Sequence, residues 1–170
     1  MSRSKKLIVT ALFLIGACIL LYPAVSNKLA ERHQAEMISR YEQTVEELPK
    51  TDMKSEWEKA VKYNESVTGM SVEDPFILGS GSVLPGNYKD VLNVEEKEGV
   101  MGYIEIPAID VMLPIYHGVS ERVLRRGVGH METTALPIGG KGTHSVLASH
   151  RGLSTAKLFT DLDRMKEGDL

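Results

Sequence analysis

The chain has 170 residues, of which 42% are hydrophobic and 25% charged, a composition that is ordinary for a globular protein and argues against disorder throughout. Its formal net charge of -3 provides no basic field to attract nucleic acid, so nucleic-acid binding is discounted. A single cysteine, Cys18, cannot form an internal disulfide, and no Cys-His cluster has the spacing of a zinc site. We therefore expect neither a metal ion nor a cofactor.

The N-terminus predicts a membrane anchor. Residues 1–6 are basic, and residues 7–25 form an uncharged run of apolar and small side chains. At ~1.5 Å per residue this run spans roughly the hydrocarbon core of a bilayer, and the preceding positive charge places residues 1–6 in the cytoplasm. We therefore expect a single-pass protein of the cell membrane whose later residues are extracellular. The alternative is a cleaved signal peptide, with Ala24 and Ser26 as the small residues, although the run exceeds the usual ~7–15 residues of a signal core.

Residues 26–66 predict two amphipathic helices that lead out of the membrane. Pro49 separates them, and the second should end before Gly69. The apolar or aromatic positions of the first recur every four residues, at Leu29, His33, Met37, Tyr41 and Val45, with Ala30, Ile38 and Leu48 alongside. The corresponding positions of the second are Met53, Trp57, Ala60, Val61 and Asn64. We expect both stripes to pack on the domain that follows, and a partner-binding role is the alternative.

Residues 67–98 are rich in Gly and Pro and show no sustained helical or strand period. A loop this long within a compact domain is usually functional or disordered. It contains Asp74-Pro75-Phe76, in which the proline fixes the backbone between a carboxylate and an aromatic ring. The tripeptide alone is weak support for a function, because a simple turn anchored by Phe76 could have the same sequence.

Residues 99–170 predict short strands joined by Gly and Pro turns, which is typical of a small barrel. Residues 103–106 alternate between polar and apolar side chains and stop at Pro107, and residues 109–116 continue with the period of two. Ser120 is expected to cap a short helix over residues 121–126 that ends at Gly127.

Two further elements are predicted near the C-terminal end. Residues 143–149 have the pattern of a buried strand that carries His150 at its end. Residues 153–165 resemble the start of a short helix, with Leu158, Phe159 and Leu162 facing inward.

His150 is one of four histidines in residues 99–170 and stands at the end of the predicted strand. Arg151 follows on an extended segment, so its side chain should point to the opposite face. His144 lies six residues before His150, about 20 Å away along a strand, so the two cannot share a metal ion without a bend. We interpret the other domain histidines as structural or surface residues: His117, His130 and His144.

Three segments together resemble the sortase family, most closely its pilin-polymerising class C. The segment around His150 is similar to the class C sequence (S/T)-G-H-R-G-L-P, and residues 102–107 (GYIEIP) and 127–130 (GVGH) match the family in order and spacing. Two positions depart from this pattern, since Ser149 stands where the family usually has Gly and Ser154 where it often has Pro.

This resemblance implies a mainly β fold: a sortase-type closed β-barrel, of which residues 99–170 supply the first part, preceded by the transmembrane helix and the two amphipathic helices. It implies a cysteine transpeptidase that cleaves an LPxTG-type sorting signal and joins pilin subunits through a lysine, with His150 catalytic. It also implies that Asp74, Pro75 and Phe76 form a lid over the active site.

The family's nucleophilic cysteine lies in a T-L-x-T-C strand, followed by an arginine, and neither is found in these 170 residues. We therefore expect an N-terminal fragment that is inactive by itself. Two alternatives stay open: a sortase of another class that attaches surface proteins to the cell wall, and a non-catalytic membrane-tethered fragment. The lid tripeptide and the long helical entry favour class C.

Overall fold

The computed structural model of this chain describes residues 3–69, 87–94 and 99–169. Its helices and strands, in chain order, are α1 (Arg3–Glu47), α2 (Lys50–Val67), β1 (Val100–Ile106), β2 (Val111–His117), α3 (Glu121–Leu124), β3 (Val128–His130) and β4 (Leu147–Ala148). Short 3₁₀ segments occur at Tyr88–Asp90, Pro107–Ile109 and Leu162–Arg164.

Within these residues the strands form a four-stranded sheet in the order β1-β2-β3-β4. β1 pairs antiparallel with β2, so Ile104 lies opposite Leu113 and the two side chains share a face. β3 is parallel to β2, because α3 carries the chain back between them, and β4 is antiparallel to β3. Val111, Leu113 and Ile115 are buried on one face of β2, whereas Met112 on the other face is 49% exposed. The predicted inward face of β2 is therefore confirmed, although Pro114 and Tyr116 on its other face are buried as well.

The predicted membrane anchor and the first of the two predicted amphipathic helices form one continuous helix. α1 runs for 45 residues from Arg3 to Glu47 and contains Pro23. A proline inside a helix removes one backbone hydrogen bond and its ring crowds the preceding turn, but α1 continues past Pro23 as one helix. The N-terminal part of α1 is long and apolar enough to cross a membrane, and its most apolar stretch is not buried against the rest of the chain.

The buried stripe of α1 agrees only in part with the predicted one. Met37 and Ile38 are buried as predicted, and Gln34 is buried as well, whereas Leu29 is 60% exposed and His33 is exposed. The physical reason is that a spacing of four residues advances by about 40° around a helix at each step, so a stripe of five such positions turns away from the domain.

Side-chain hydrogen bonds fasten α1 to the sheet domain at two levels. Gln34 Nε2 donates to the Arg126 carbonyl at 3.1 Å, and Tyr41 Oη donates to the Met101 carbonyl at 3.2 Å. The Arg126 bond joins α1 to the turn that follows α3, and the Met101 bond joins it to β1. The C-terminal half of α1 is therefore part of the domain rather than a separate helix.

α2 packs on the domain with only part of the predicted stripe. Ala60 and Asn64 are buried as expected, but Met53, Trp57 and Val61 are 45%, 53% and 36% exposed, so the predicted packing of these three is wrong. Asn64 tolerates burial because its amide pairs with the backbone of Leu136, donating to the carbonyl at 3.2 Å and accepting from the N–H at 2.7 Å. Met53 and Trp57 instead line an apolar groove of about 900 Å³ between α1, α2 and β1.

The strand predicted for residues 143–149 is much shorter in the structure, since β4 contains two residues. Single hydrogen bonds continue its antiparallel pairing toward the N-terminal side: Met131 N–H donates to Val146 O at 2.9 Å, and Ala135 N–H donates to His144 O at 3.0 Å. The predicted extended course of the segment is therefore kept, although most of it lacks regular ladder bonds.

The helix predicted for residues 153–165 is wrong. The segment consists of turns with one 3₁₀ segment near its end, and Leu158 has a left-handed backbone with φ 44°. A residue in that conformation interrupts a right-handed helix. Leu158 and Phe159 are buried as predicted, but Leu162 is 42% exposed, contrary to the prediction.

His130 lies at the centre of the core and is completely buried. Its Nε2 faces the Ala135 carbonyl at 2.9 Å, and its Nδ1 lies 3.0 Å from Tyr88 Oη, which in turn accepts from Gly118 N–H at 3.0 Å. A neutral ring that donates from Nε2 and accepts at Nδ1 satisfies all of these groups. Burial lowers the pKa of His130 to about 4. His117 bonds to backbone carbonyls and His144 is exposed, which agrees with their interpretation as structural and surface residues.

We predict that this histidine makes the fold acid-sensitive. Its pKa is lower in the folded than in the unfolded chain, so the stabilisation is complete above about pH 6.5 and is lost as the pH falls toward 4, by about 3 kcal/mol in total. Denaturant unfolding in detergent micelles at pH 7, 5 and 4 should show this loss in the wild type. The variant His130→Asn should be less stable at pH 7 but should lack this part of the pH dependence. Exposed His144→Asn is the control, and equal pH dependence in all three proteins would contradict the prediction.

Candidate functional site

His150 lies two residues beyond the end of β4, as the sequence predicted for the end of the strand segment. Its backbone carbonyl accepts a hydrogen bond from Phe159 N–H at 3.1 Å, and its side chain is 31% exposed. The turn that follows thus folds back against the strand end and fixes its backbone, while the ring stays open to the surface on one side.

Ser149 ties the strand end to the turn after α3. Its Oγ donates to the Gly127 carbonyl at 2.7 Å. Gly127 is needed at that place because a Cβ atom there would lie 2.6 Å from the Pro114 carbonyl of β2. The residue that departs from the family pattern is therefore accommodated by a hydrogen bond.

Glu121, the first residue of α3, is the charged side chain beside the ring. Its Oε2 lies 3.3 Å from His150 Nε2, and its Oε1 accepts a hydrogen bond from Arg125 Nε at 2.7 Å. The Arg125 bond holds the pKa of Glu121 below its usual range, and His150 acts in the same direction. The carboxylate is therefore ionised at neutral pH.

The His150 ring has two different sides. Nε2 is enclosed and lies 3.3 Å from Glu121 Oε2, but the two groups are not oriented as in a hydrogen bond. Nδ1 makes no hydrogen bond to any residue that the structure describes, so it is the nitrogen left for another reactant. Sequence reasoning missed Glu121, because a contact between residues 29 positions apart leaves no local signal in the chain.

Arg151 is turned away from the imidazole and is engaged elsewhere. Its guanidinium donates to Asp163 Oδ2 at 2.8 Å on the exposed surface. An open pocket of about 450 Å³ lies along this edge of the strand, and it is lined by Leu147, Ala148, Ser149, Arg151, Phe159, Leu162 and Asp163. The pocket is partly apolar and leads to the strand end that carries His150.

The remaining predicted site residues are not brought to His150 by the described part of the chain. Asp74, Pro75 and Phe76 lie outside the described residues. Cys18 lies exposed in the apolar part of α1, about 24 Å before the first buried residue of that helix at ~1.5 Å per residue. Among the described residues, no group of three or more His, Cys, Asp or Glu side chains could hold a metal ion.

Comparison with known proteins gives consistent similarities. A family model described as the sortase domain matches residues 104–170, the part that contains His150. Sortase A of Listeria monocytogenes is 28% identical over 167 residues, which are 97% of this chain and 65% of that protein. Sortase A of Bacillus anthracis is 25% identical over 168 residues, which are 98% of this chain and 67% of that protein.

Solved structures of pilin-type sortases are similar in fold. The crystal structure of sortase C1 from Streptococcus agalactiae has a TM-score of 0.68 and 38% identity, over 79% of this chain and 67% of that one. Sortase C of Streptococcus pneumoniae has a TM-score of 0.66 and 40% identity, over 79% of this chain and 65% of that one. The chain thus spans about two thirds of the length of the relatives it matches.

We predict that the Ser149 hydrogen bond stabilises the strand end. The variant Ser149→Ala should lower the free energy of unfolding by about 1 kcal/mol, because it leaves the carbonyl of the buried Gly127 without this donor. Ser154→Ala is a matched control, since Ser154 is exposed and should change stability by less than about 0.5 kcal/mol. Denaturant unfolding measures both, and equal effects would show that the bond contributes nothing.

Proposed function

This chain belongs to the sortase family, within its class C branch, and from that premise we propose that it supplies the catalytic histidine of a membrane-anchored cysteine transpeptidase. The transpeptidase would cleave an LPxTG-type sorting signal and join pilin subunits through a lysine. The observation that carries the proposal is the position of His150, at a strand end within the residues that match the sortase domain. The sortase C structure of Streptococcus pneumoniae is described in terms of pilin substrate specificity, which supports the pilin assignment.

The chemistry divides between His150 and a cysteine nucleophile. The thiolate attacks the carbonyl carbon of the threonine, the Thr-Gly bond breaks, and the imidazolium gives its proton to the departing glycine amine. A lysine amine of the next subunit then attacks the thioester, loses a proton to the imidazole and releases the thiolate. The 170 residues contain neither the family's T-L-x-T-C cysteine nor its arginine. We therefore propose that the chain by itself is inactive.

The proposed layout follows the sequence. Residues 1–6 are a cytoplasmic tail, residues 7–25 the membrane span, residues 26–66 the helical entry, residues 67–98 the lid-bearing loop and residues 99–170 the first part of the barrel. The apolar part of α1 supports the span, and a cleaved signal sequence is the alternative that has the same composition. The domain would then lie outside the cell, where sorting signals and wall precursors are found.

A sortase of another class is the second candidate, because the two curated relatives are both sortase A. Such an enzyme would attach surface proteins to the cell wall. Class C is favoured by the identities, which are 38% and 40% to the sortase C structures against 28% and 25% to the sortase A proteins. A non-catalytic tethered fragment is the third reading, and the activity test below separates it from both.

We predict that replacing His150 abolishes transpeptidation. In the protein expressed from the complete gene, His150→Gln should lower the rate of joining an LPxTG peptide to a lysine-bearing pilin peptide by about 10²- to 10⁴-fold, the usual contribution of general acid-base catalysis. His144→Gln is the control, since His144 is exposed and lies on the same segment. The 170-residue chain alone should give no product. Activity that persists in His150→Gln would contradict the proposal, and wall attachment without pilin polymers would assign another class.

We predict that the tripeptide at residues 74–76 covers the active site. A lid mutant is among the solved forms of Streptococcus agalactiae sortase C1, which supports a lid in this branch. In the complete protein, replacing Asp74 and Phe76 by Ala should speed the reaction of the active-site cysteine with small thiol reagents. The matched control replaces an acid and a ring exposed on β1, Glu105 and Tyr103. An unchanged rate in the lid variant, or an equal gain in the control, would contradict the prediction.

A further inference from the structure

We propose that Glu121 is a positioning residue for His150: its carboxylate holds the ring at Nε2 and leaves Nδ1 to face the nucleophile. The inference rests on the proposed function, because it assumes that His150 takes part in the reaction. It adds a residue that the sequence pattern of the family segments did not indicate.

The ring geometry is the first support. Nε2 of His150 is enclosed and has no hydrogen-bond partner, and Glu121 Oε2 lies 3.3 Å away. An enclosed ring nitrogen that is left unpaired is costly, so a small rotation that completes the Nε2–H···Oε2 bond is favoured. In a histidine the hydrogen bond at one nitrogen decides which nitrogen carries the proton. A bond at Nε2 therefore keeps the proton there and leaves the lone pair on Nδ1.

The setting of Glu121 is the second support, because its carboxylate is itself held in place. Ser120 caps α3 by accepting from Val123 N–H at 3.4 Å, and Arg125 binds Oε1 at 2.7 Å. With Oε1 engaged by Arg125, Oε2 is the oxygen presented to His150. The buried Leu124 anchors the short helix on the domain. The carboxylate is thus supplied by an element whose position is fixed by its own contacts.

A second contact joins the same two segments. Ser149 Oγ donates to the Gly127 carbonyl, three residues beyond the end of α3. The segment around α3 therefore contacts both the backbone beside His150 and the ring of His150. Gln34 of α1 donates to the neighbouring Arg126 carbonyl, which fastens this segment from the other side. The ring is positioned by a connected structure rather than by one exposed pair.

This arrangement assigns each proton in the reaction. Nδ1 accepts the thiol proton and later delivers it to the amine of the departing glycine, while Nε2 keeps its own proton, bonded to Glu121, throughout. The Thr-Gly bond breaks as the thioester forms, so that each proton and electron pair is accounted for. Without the carboxylate the ring could rotate or exchange tautomers, and the productive arrangement would be populated for a smaller share of the time.

The kinetic test compares Glu121→Ala with Arg122→Ala in the protein expressed from the complete gene. Arg122→Ala removes an exposed charged side chain of the same helix, whereas Glu121→Ala removes the carboxylate beside His150. We expect kcat to fall about tenfold in Glu121→Ala with KM unchanged, a part of the general acid-base contribution, and to stay within about twofold in Arg122→Ala. Wild-type kcat in Glu121→Ala, or equal losses in both variants, would overturn the inference.

A spectroscopic test on the 170-residue chain separates this inference from the proposed function. Long-range ¹H–¹⁵N correlation spectra in detergent micelles report which nitrogen of each histidine carries the proton. We expect His150 to be protonated at Nε2 in the wild type and in Arg122→Ala, and a tautomer mixture in Glu121→Ala. The buried His130 serves as the internal check that each variant is folded. An unchanged His150 spectrum in folded Glu121→Ala would overturn the inference. Activity in His150→Gln would instead overturn the proposed function, and the spectrum would then report only how Glu121 holds the ring.

Discussion

The completely buried His130 fixes the place of the candidate site, because it joins separate parts of the chain through hydrogen bonds. Its ring contacts Tyr88 and the Ala135 carbonyl, and its backbone pairs with Leu147 in the register of β3 with β4. That register determines how far His150 projects beyond the sheet. Burying a polar ring is tolerated only where every donor and acceptor has a partner, so the partners of His130 restrict the relative positions of these segments. The position of the candidate catalytic His150 therefore depends on His130, a buried histidine with a structural role.

The predictable parts of the fold are those that short-range patterns specify. The alternation in β1 and β2, the Ser120 cap and the end of α2 follow from neighbouring residues, and the structure has them. The helix predicted over residues 153–165 is not formed, because Leu158 has a left-handed backbone, which the spacing of apolar residues does not predict. Met53 and Trp57 have the correct helical spacing but border an open groove instead of the core. Spacing indicates which residues share a face, but not what covers that face.

The site was predictable only in part for the same reason. The segment around His150 carries a sequence signature, so the residue and its strand end could be predicted. Glu121 and the Gly127 carbonyl reach it through the fold, since they belong to a segment that lies more than twenty residues earlier in the chain. The similarity to sortase C structures supports the overall architecture. Ser149 shows how one departure from a family pattern is accommodated: a hydroxymethyl side chain replaces a hydrogen atom, and its hydroxyl group donates to an acceptor on the neighbouring turn.

The continuity of α1 has a consequence for how the domain meets its substrates. If residues 7–25 cross the bilayer, Gln34 binds the domain only about 13 Å beyond the lipid, and uninterrupted helix joins the two. A helical connection is stiff, unlike a glycine-rich linker, so the domain has little freedom to tilt against the membrane or to move away from it. During lateral diffusion, His150 would then stay at a nearly constant distance from the membrane and keep a nearly constant orientation to it. Diffusion in that layer is two-dimensional, which favours encounters with proteins that are themselves held in the same lipid sheet.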